Sequence, residues 1–232
     1  MARYAGGRRR ALVLVASDGI GSLPNATRCA LAVATAAQQA VVKYLRRRRS
    51  RRALQKRDAA ILLTLLSKIG TYVADSAGGS TLNVTLFDPR EAGQQGSVIT
   101  IWSGDTRTCA ADVYGQVYQL TEDHRDSEGA LTSYIRLDGQ SVGRLGLSVF
   151  ATSRPLCAIC ITTDGVHDRC EAGELNYFLF HCVAEYLASN SELSSALRQF
   201  LDANISDNYS MALASRPVSL GQLARIRSVL VN

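Results

Sequence analysis

The chain has 232 residues, of which 47% are apolar, enough for a sizeable buried core and too apolar for an intrinsically disordered chain. No apolar run approaches the roughly 20 residues that a membrane-spanning helix needs, so no membrane span is predicted. Residues 1–57 contain 14 Lys and Arg but a single acidic residue, Asp18, whereas the remainder is acidic on balance. This asymmetry predicts an acidic partner, such as a protein surface, a nucleic acid or a membrane headgroup.

Apolar periodicity and turn residues predict an α+β fold, and one domain over residues 1–232 is the simplest organisation. The residues between 121 and 143 are polar and predict a loop or flap. Predicted helices cover 25–45, 58–73, 174–189, 192–204 and 220–230. Predicted strands cover 11–16, 80–87, 97–103, 109–114, 116–120, 157–163 and 209–214.

Three of the predicted strands end at an aspartate beside a glycine. Asp18-Gly19 follows the first strand, Gly104-Asp105 follows the third, and Asp164-Gly165 follows the strand over 157–163, with Asp168 four residues later. Glycine permits a sharp turn there, so these aspartates could simply form turns or cap helices. If they meet at one rim of a sheet, their charges repel unless cations lie between them, which predicts Mg²⁺ or Mn²⁺.

Six motifs in order give the sequence a family resemblance. It resembles the metal-dependent serine/threonine protein phosphatases of the phosphatase 2C type over residues 12–214, with a basic segment over 1–10 and a C-terminal extension over 215–232. The resemblance implies a β-sandwich flanked by helices on both sides, with metals at one end. The motifs are VASDGIGS (15–22), GGSTL (78–82), WSGDTR (102–107), YQLTEDH (118–124), ITTDGVHD (161–168) and SDNYSMAL (206–213).

The resemblance implies a binuclear Mg²⁺ or Mn²⁺ site carried by Asp18, Asp164 and Asp207, which are also the implied catalytic residues. By this resemblance, Asp18 would bridge the two ions, and the carbonyl of Gly19 would be a further ligand. The implied activity is hydrolysis of phosphoserine or phosphothreonine in proteins by a water activated at these ions. The implied partner is a phosphoprotein, either a kinase or a kinase target, so the chain is expected to act in signalling.

Two further aspartates, Asp105 and Asp168, resemble the residues that hold a third, weaker metal in the family. The cofactor prediction is therefore two divalent ions, or three. The histidines His124, His167 and His181 are interpreted as structural, with His167 at the rim of the site.

The N-terminus departs from the family pattern. The family's arginine that grips the phosphate, and its acidic pair, are not found in the 17 residues before Asp18, and the strand that carries them is interpreted as missing. Arg3 or Arg8 could replace that arginine. The departures support an alternative hypothesis: a catalytically weak or inactive phosphatase-like module that docks an acidic partner through its basic N-terminal third.

The arginine run Arg46–Arg52 is interpreted as a docking patch for that acidic partner. Nucleic-acid binding is less favoured because no aromatic residues for base stacking are interleaved with the arginines. The expected location is the cytoplasm, with the nucleus as the alternative that an arginine run allows.

Overall fold

The computed structural model describes residues 3–4, 11–48, 54–69, 78–87, 96–114, 116–136, 143–168 and 211–215. Within these ranges the helices are α1 (Ala26–Arg47), α2 (Lys56–Leu66) and the single turn α3 (Asp164–His167). The strands in the same ranges are β1 (Arg3–Tyr4), β2 (Leu12–Ala16), β3 (Gly79–Ser80), β4 (Leu82–Phe87), β5 (Gly96–Ser103), β6 (Arg107–Asp112), β7 (Val117–Gln119), β8 (Ile135–Arg136), β9 (Gly146–Thr152), β10 (Leu156–Thr162) and β11 (Met211–Ser215).

Two antiparallel sheets dominate the described part of the chain. The first has the strand order β1-β2-β4-β5-β9, the second has the order β11-β10-β6-β7, and a small pair joins β3 to β8. At the end of β2, Ala16 lies opposite Asn83 of β4. At the end of β10, Thr162 lies opposite Arg107 of β6. Asp18 and Asp164 therefore each follow a strand end that is fixed by a neighbouring strand.

The two sheets pack face to face, which confirms the predicted β-sandwich. One buried cluster combines Leu14 and Phe87 of the first sheet with Ile159 and Ile161 of the second. Burying apolar side chains of this size stabilises the fold by about 1.5–3 kcal/mol each. This layer is the interior of the sandwich.

The helices α1 and α2 cover the outer face of the first sheet. The buried side of α1 repeats every four residues, as a helix packed along one face requires. Its residues are Cys29, Val33, Ala37, Val41 and Leu45. The helices predicted over 174–189, 192–204 and 220–230 lie outside the described residues. None of the described helices is long and apolar enough to cross a membrane.

The strand β2 contributes to both buried layers. Val13 and Val15 belong to the cluster that faces the helices, whereas Leu14 and Ala16 belong to the sandwich interior. Because successive side chains of a strand point to opposite faces, both faces of β2 are covered. This explains why its sequence is a continuous apolar run and shows no alternation with polar residues.

A buried carboxylate joins the end of α1 to the start of α2. Asp58 accepts hydrogen bonds from the Tyr44 hydroxyl at 2.5 Å, from Arg48 Nε at 2.8 Å and from the backbone N–H of Gln55 at 2.8 Å. The side chains of Arg48 and Asp58 are only 12% and 10% exposed. The ion pair is therefore largely shielded from water and stabilises the packing of the two helices.

This ion pair changes the interpretation of the segment Arg46–Arg52. Arg48 belongs to the helix contact, so it is not an open docking residue. Arg46 and Arg47 are exposed at the last turn of α1, and residues 49–52 lie outside the described ranges. A docking patch at the end of α1 would therefore use Arg46 and Arg47, and it remains a prediction.

Several strands agree with the sequence predictions, but three were not predicted: β1, β9 and the two-residue β8, which lies in the segment predicted as a loop or flap. The strands β2, β4, β5, β10 and β11 lie where apolar runs placed them. β1 pairs with β2 through Arg3 opposite Val13, so the interpretation that the N-terminal strand is missing was wrong. Two residues are too few for any periodicity to be visible. β9 was also missed, because this half-buried edge strand contains Gly146 and lacks a fully apolar run.

Candidate metal centre

Asp18 follows β2, and its backbone is held by the segment that leads into β4. The Asp18 N–H donates to Thr81 Oγ1 at 2.9 Å. The Asp18 carbonyl accepts from the Thr81 N–H at 2.8 Å and from the Ser80 hydroxyl at 2.7 Å. These bonds explain why the GGSTL motif accompanies the first Asp-Gly turn: its Ser and Thr fix the backbone from which the Asp18 carboxylate extends.

Gly19 is required by the close approach of α1. A Cβ atom at Gly19 would collide with the backbone carbonyl carbon and oxygen of Ala26, which cannot move without displacing the helix. Gly19 also forms a bridge to Ser80. The turn after β2 therefore contacts the first residue of α1 on one side and strand β3 on the other.

Asp105 is positioned by a turn that the LTEDH motif supports. Gly104 has φ of 97°, a left-handed conformation that favours glycine. The backbone N–H of Gly104 donates to the ring Nδ1 of His124 at 3.3 Å, and the backbone N–H of His124 donates to the Gly104 carbonyl at 3.0 Å. Burial lowers the pKa of His124, which favours the neutral ring that accepts the first of these bonds. His124 is thus a structural residue of the Asp105 turn.

Asp164 follows β10 and lies beside Asp18. The Asp164 carboxylate accepts from the Gly165 N–H at 2.8 Å. Burial, together with the charge of nearby Asp164 and a hydrogen bond with its side chain, raises the pKa of Asp18 to about 6. Residues from the ends of two strands in different sheets therefore meet as a carboxylate pair.

Arg125 lies among the remaining carboxylates, and it is a functional candidate that none of the sequence motifs contains. Its Nε donates to Asp105 Oδ2 at 2.8 Å, and its Nη2 contacts the same oxygen. The same Nη2 is 3.4 Å from Asp164 Oδ2 and 3.5 Å from Asp168 Oδ2. Burial alone would lower the pKa of Arg125, but the hydrogen bond and charge of Asp105, with the charges of Asp168 and Asp164, raise it.

The motifs of this centre agree with the family comparison. A family model described as Protein phosphatase 2C matches residues 2–202. The chain belongs to the protein phosphatase 2C family. No curated protein matches the sequence.

Solved structures share the phosphatase 2C fold. The serine/threonine phosphatase Stp1 from Staphylococcus aureus is 18% identical, with a TM-score of 0.67 over 93% of this chain and 87% of that one. A bacterial serine phosphatase is 17% identical, with a TM-score of 0.64 over 95% and 92%. A C. elegans sex determining protein is 14% identical, with a TM-score of 0.63 over 95% of this chain and 59% of that one. At these identities the likeness establishes the fold.

The phosphatase 2C motifs place four of the predicted metal ligands near one another in the structure. Asp18 lies beside Asp164, and Arg125 links Asp164 to Asp105 and Asp168. Asp207 lies outside the described residues, so its position relative to this group stays a prediction. In the ranges that the structure describes, no three acidic, histidine or cysteine side chains are arranged as a ready metal site.

His167 lies against the centre but is buried. Its Nδ1 is 3.3 Å from the Thr162 hydroxyl, and its Nε2 is 3.6 Å from Asp168 Oδ1. Burial and the charge of Arg107 lower the pKa of His167. The prediction that His167 is structural agrees with this burial, although it packs beneath the acidic residues and is not on an open rim. His181 and Arg8 lie outside the described residues.

Proposed function

We propose that the chain is a Mg²⁺- or Mn²⁺-dependent protein phosphatase that hydrolyses phosphoserine and phosphothreonine. The observation that supports this proposal best is the meeting of Asp18 and Asp164, which reach each other from the ends of β2 and β10 in two different sheets. Family membership supports the reaction class, and the structural neighbours named as serine or serine/threonine phosphatases support the substrate class.

The residues of the pair suit divalent ions. Carboxylate and carbonyl oxygens are the ligands that Mg²⁺ and Mn²⁺ prefer. The pKa of Asp18, raised to about 6 by burial and by Asp164, reflects a site where two negative charges are unfavourable without a cation. Asp18, the Gly19 carbonyl, Asp164 and Asp207 would hold two ions. When bound, these ions supply an activated water and neutralise phosphate charge.

The chain's own contribution is to fix the positions of these oxygens. Ser80 and Thr81 hold the backbone of Asp18 through three hydrogen bonds, and Gly19 lets α1 pack directly on the turn. A site held in this way loses little conformational freedom when ions and phosphate bind. The expected substrate is a phosphoprotein, either a kinase or a kinase target.

Hydrolysis of a phosphothreonine peptide in Mn²⁺ tests the proposal. We expect Asp164→Ala to reduce the rate by more than 100-fold, because the ions lose a ligand that the protein cannot replace. Glu128→Ala is the matched control, since Glu128 is an exposed acidic residue of the neighbouring loop. Equal rates for the wild type and Asp164→Ala would refute the enzyme hypothesis.

A second candidate is a regulatory module that uses the same fold without catalysis. The observation that favours it is the ion pairing of Arg125 with Asp105, Asp164 and Asp168, which neutralises part of the acidic group without metal. In that case calorimetry would detect no Mn²⁺ binding. An acidic protein would instead form a stable complex that is weakened by substitution of Arg46 and Arg47.

A further inference from the structure

One guanidinium group lies among three carboxylates that the family resemblance assigns to metal ions. Arg125 donates from Nε and Nη2 to Asp105, and its Nη2 is within 3.5 Å of Asp168 and 3.4 Å of Asp164. The Asp105 side chain is 5% exposed and that of Arg125 is 30% exposed. The contact with Asp105 is therefore the buried end of this arrangement, and the other two carboxylates surround the more open end.

The charges explain why Arg125 belongs there. A carboxylate as buried as that of Asp105 is unfavourable unless a positive partner with good hydrogen-bond geometry accompanies it. Arg125 provides this partner with two donors from one planar group. A divalent ion held by both Asp105 and Asp168 would have to lie where the guanidinium lies, and the two positive charges would repel each other.

The backbone around Arg125 is fixed on both sides, so its position does not depend on the ion pairs alone. The preceding residue, His124, exchanges hydrogen bonds with Gly104, and its carbonyl accepts from the Thr132 N–H at 2.8 Å. Arg125 itself forms a bridge to Leu131. The segment that carries Arg125 is therefore attached to the same turn that carries Asp105.

From this geometry we propose that Arg125 is a built-in cation that replaces the third divalent ion expected at Asp105 and Asp168. The centre of this chain then binds two ions and not three. The inference rests on the proposed function, because it concerns how many ions accompany the pair at Asp18 and Asp164. It adds a role for a residue that no family motif in the sequence contains, and it selects two ions from the two or three that the resemblance implies.

Counting Mn²⁺ in the full chain tests the proposal without measuring activity. Crystals of the wild type and of Arg125→Ala are soaked in millimolar MnCl₂, and anomalous diffraction locates the ions. Electron paramagnetic resonance counts the bound Mn²⁺ in solution. Arg154→Ala is the matched control. Arg154 Nη1 lies 3.5 Å from Asp112 Oδ2, and neither residue belongs to this centre. We expect two ions in the wild type and in Arg154→Ala, and a third ion between Asp105 and Asp168 in Arg125→Ala.

Thermal unfolding gives an independent measurement. Without metal, Arg125→Ala should melt at a lower temperature than the wild type because the Asp105 carboxylate is left unpaired. Mn²⁺ at about 100 times its dissociation constant should then raise the melting temperature of the variant by about 5–10 °C more than that of the wild type. Arg125→Lys keeps the positive charge, so it should show no such excess.

The outcomes separate this inference from the proposed function. Two ions in both the wild type and Arg125→Ala would overturn the inference and leave the phosphatase proposal standing. An ion on Asp105 and Asp168 in wild-type crystals would also overturn it, even if the variant fails to fold. No ion in the wild type but one ion at Asp105 and Asp168 in Arg125→Ala would support the inference and contradict the binuclear centre.

Discussion

Replacing Thr81 with valine tests whether the GGSTL segment holds the Asp18 turn. The Thr81 hydroxyl accepts from the Asp18 N–H at 2.9 Å and shares a hydrogen bond of 2.8 Å with the Thr106 hydroxyl. Valine keeps the shape of threonine but leaves the Asp18 N–H and the Thr106 hydroxyl without the Thr81 hydroxyl as a partner. A buried donor that loses its partner costs about 1–3 kcal/mol. Because Asp18 is only half-buried, its N–H should contribute the smaller share, so the two losses together should lower the free energy of unfolding by about 2–4 kcal/mol.

The assay is thermal unfolding of the metal-free protein, followed by calorimetric titration with Mn²⁺. A loss of this size corresponds to a melting temperature about 5–15 °C lower for a chain of this length. We also expect weaker Mn²⁺ binding, because the Asp18 carboxylate would extend from a less fixed backbone. Thr64→Val is the control. The Thr64 hydroxyl donates to the Ala60 carbonyl at 3.0 Å on the exposed side of α2, so losing this hydrogen bond should cost less than about 0.5 kcal/mol. If Thr81→Val and Thr64→Val had the same melting temperature, the role assigned to Thr81 would be wrong.

Three further predictions follow from contacts described above. Asp18 has a pKa of about 6 when folded and 3.8 ordinarily, so the folded state binds more protons between these values. The free energy of unfolding of the metal-free protein should therefore fall as pH rises through this window, and urea titrations of Asp18→Asn should show a smaller fall. Asp58→Ala should lower the free energy of unfolding by about 3–5 kcal/mol in urea, because it removes the shielded carboxylate to which Tyr44, Arg48 and the Gln55 N–H donate, whereas Arg46→Ala should change it by less than about 0.5 kcal/mol. Gly104→Ala should cost about 1–3 kcal/mol more than Gly129→Ala in the same assay. Both glycines have positive φ, but only at Gly104 would a Cβ atom lie 2.6 Å from Thr81 Cγ2.

The positions of the acidic residues could be predicted because their signal is local. An apolar run followed by an aspartate and a glycine specifies a strand end with a carboxylate, and this holds for Asp18 and Asp164. The repeated pattern of strand, aspartate and glycine predicted that the carboxylates cluster, and the order of the family motifs supported this, but neither specified a distance between them. Whether these aspartates bind metal remains a prediction, as does the position of Asp207.

Arg125 could not be predicted, because nothing in its immediate sequence distinguishes it from a solvated arginine. Its role depends on three aspartates that lie 20, 39 and 43 residues away along the chain. Arg48 was misinterpreted for a related reason: its arginine neighbours indicate an exposed charged segment, while its buried partner Asp58 lies in the next helix. Pairings between distant charges become visible only when the fold is known.

The placement of β2 in both buried layers has a consequence for how this protein tolerates change. Leu14 and Val15 are neighbours in sequence, yet each is surrounded by a different set of partners. Repacking on the helix side of the strand would shift the same backbone that ends two residues before Asp18. Substitutions in β2 on the side facing α1 and α2 are therefore constrained by the geometry of the Asp18 turn. A saturation library over residues 12–16 should recover few functional alternatives at any position.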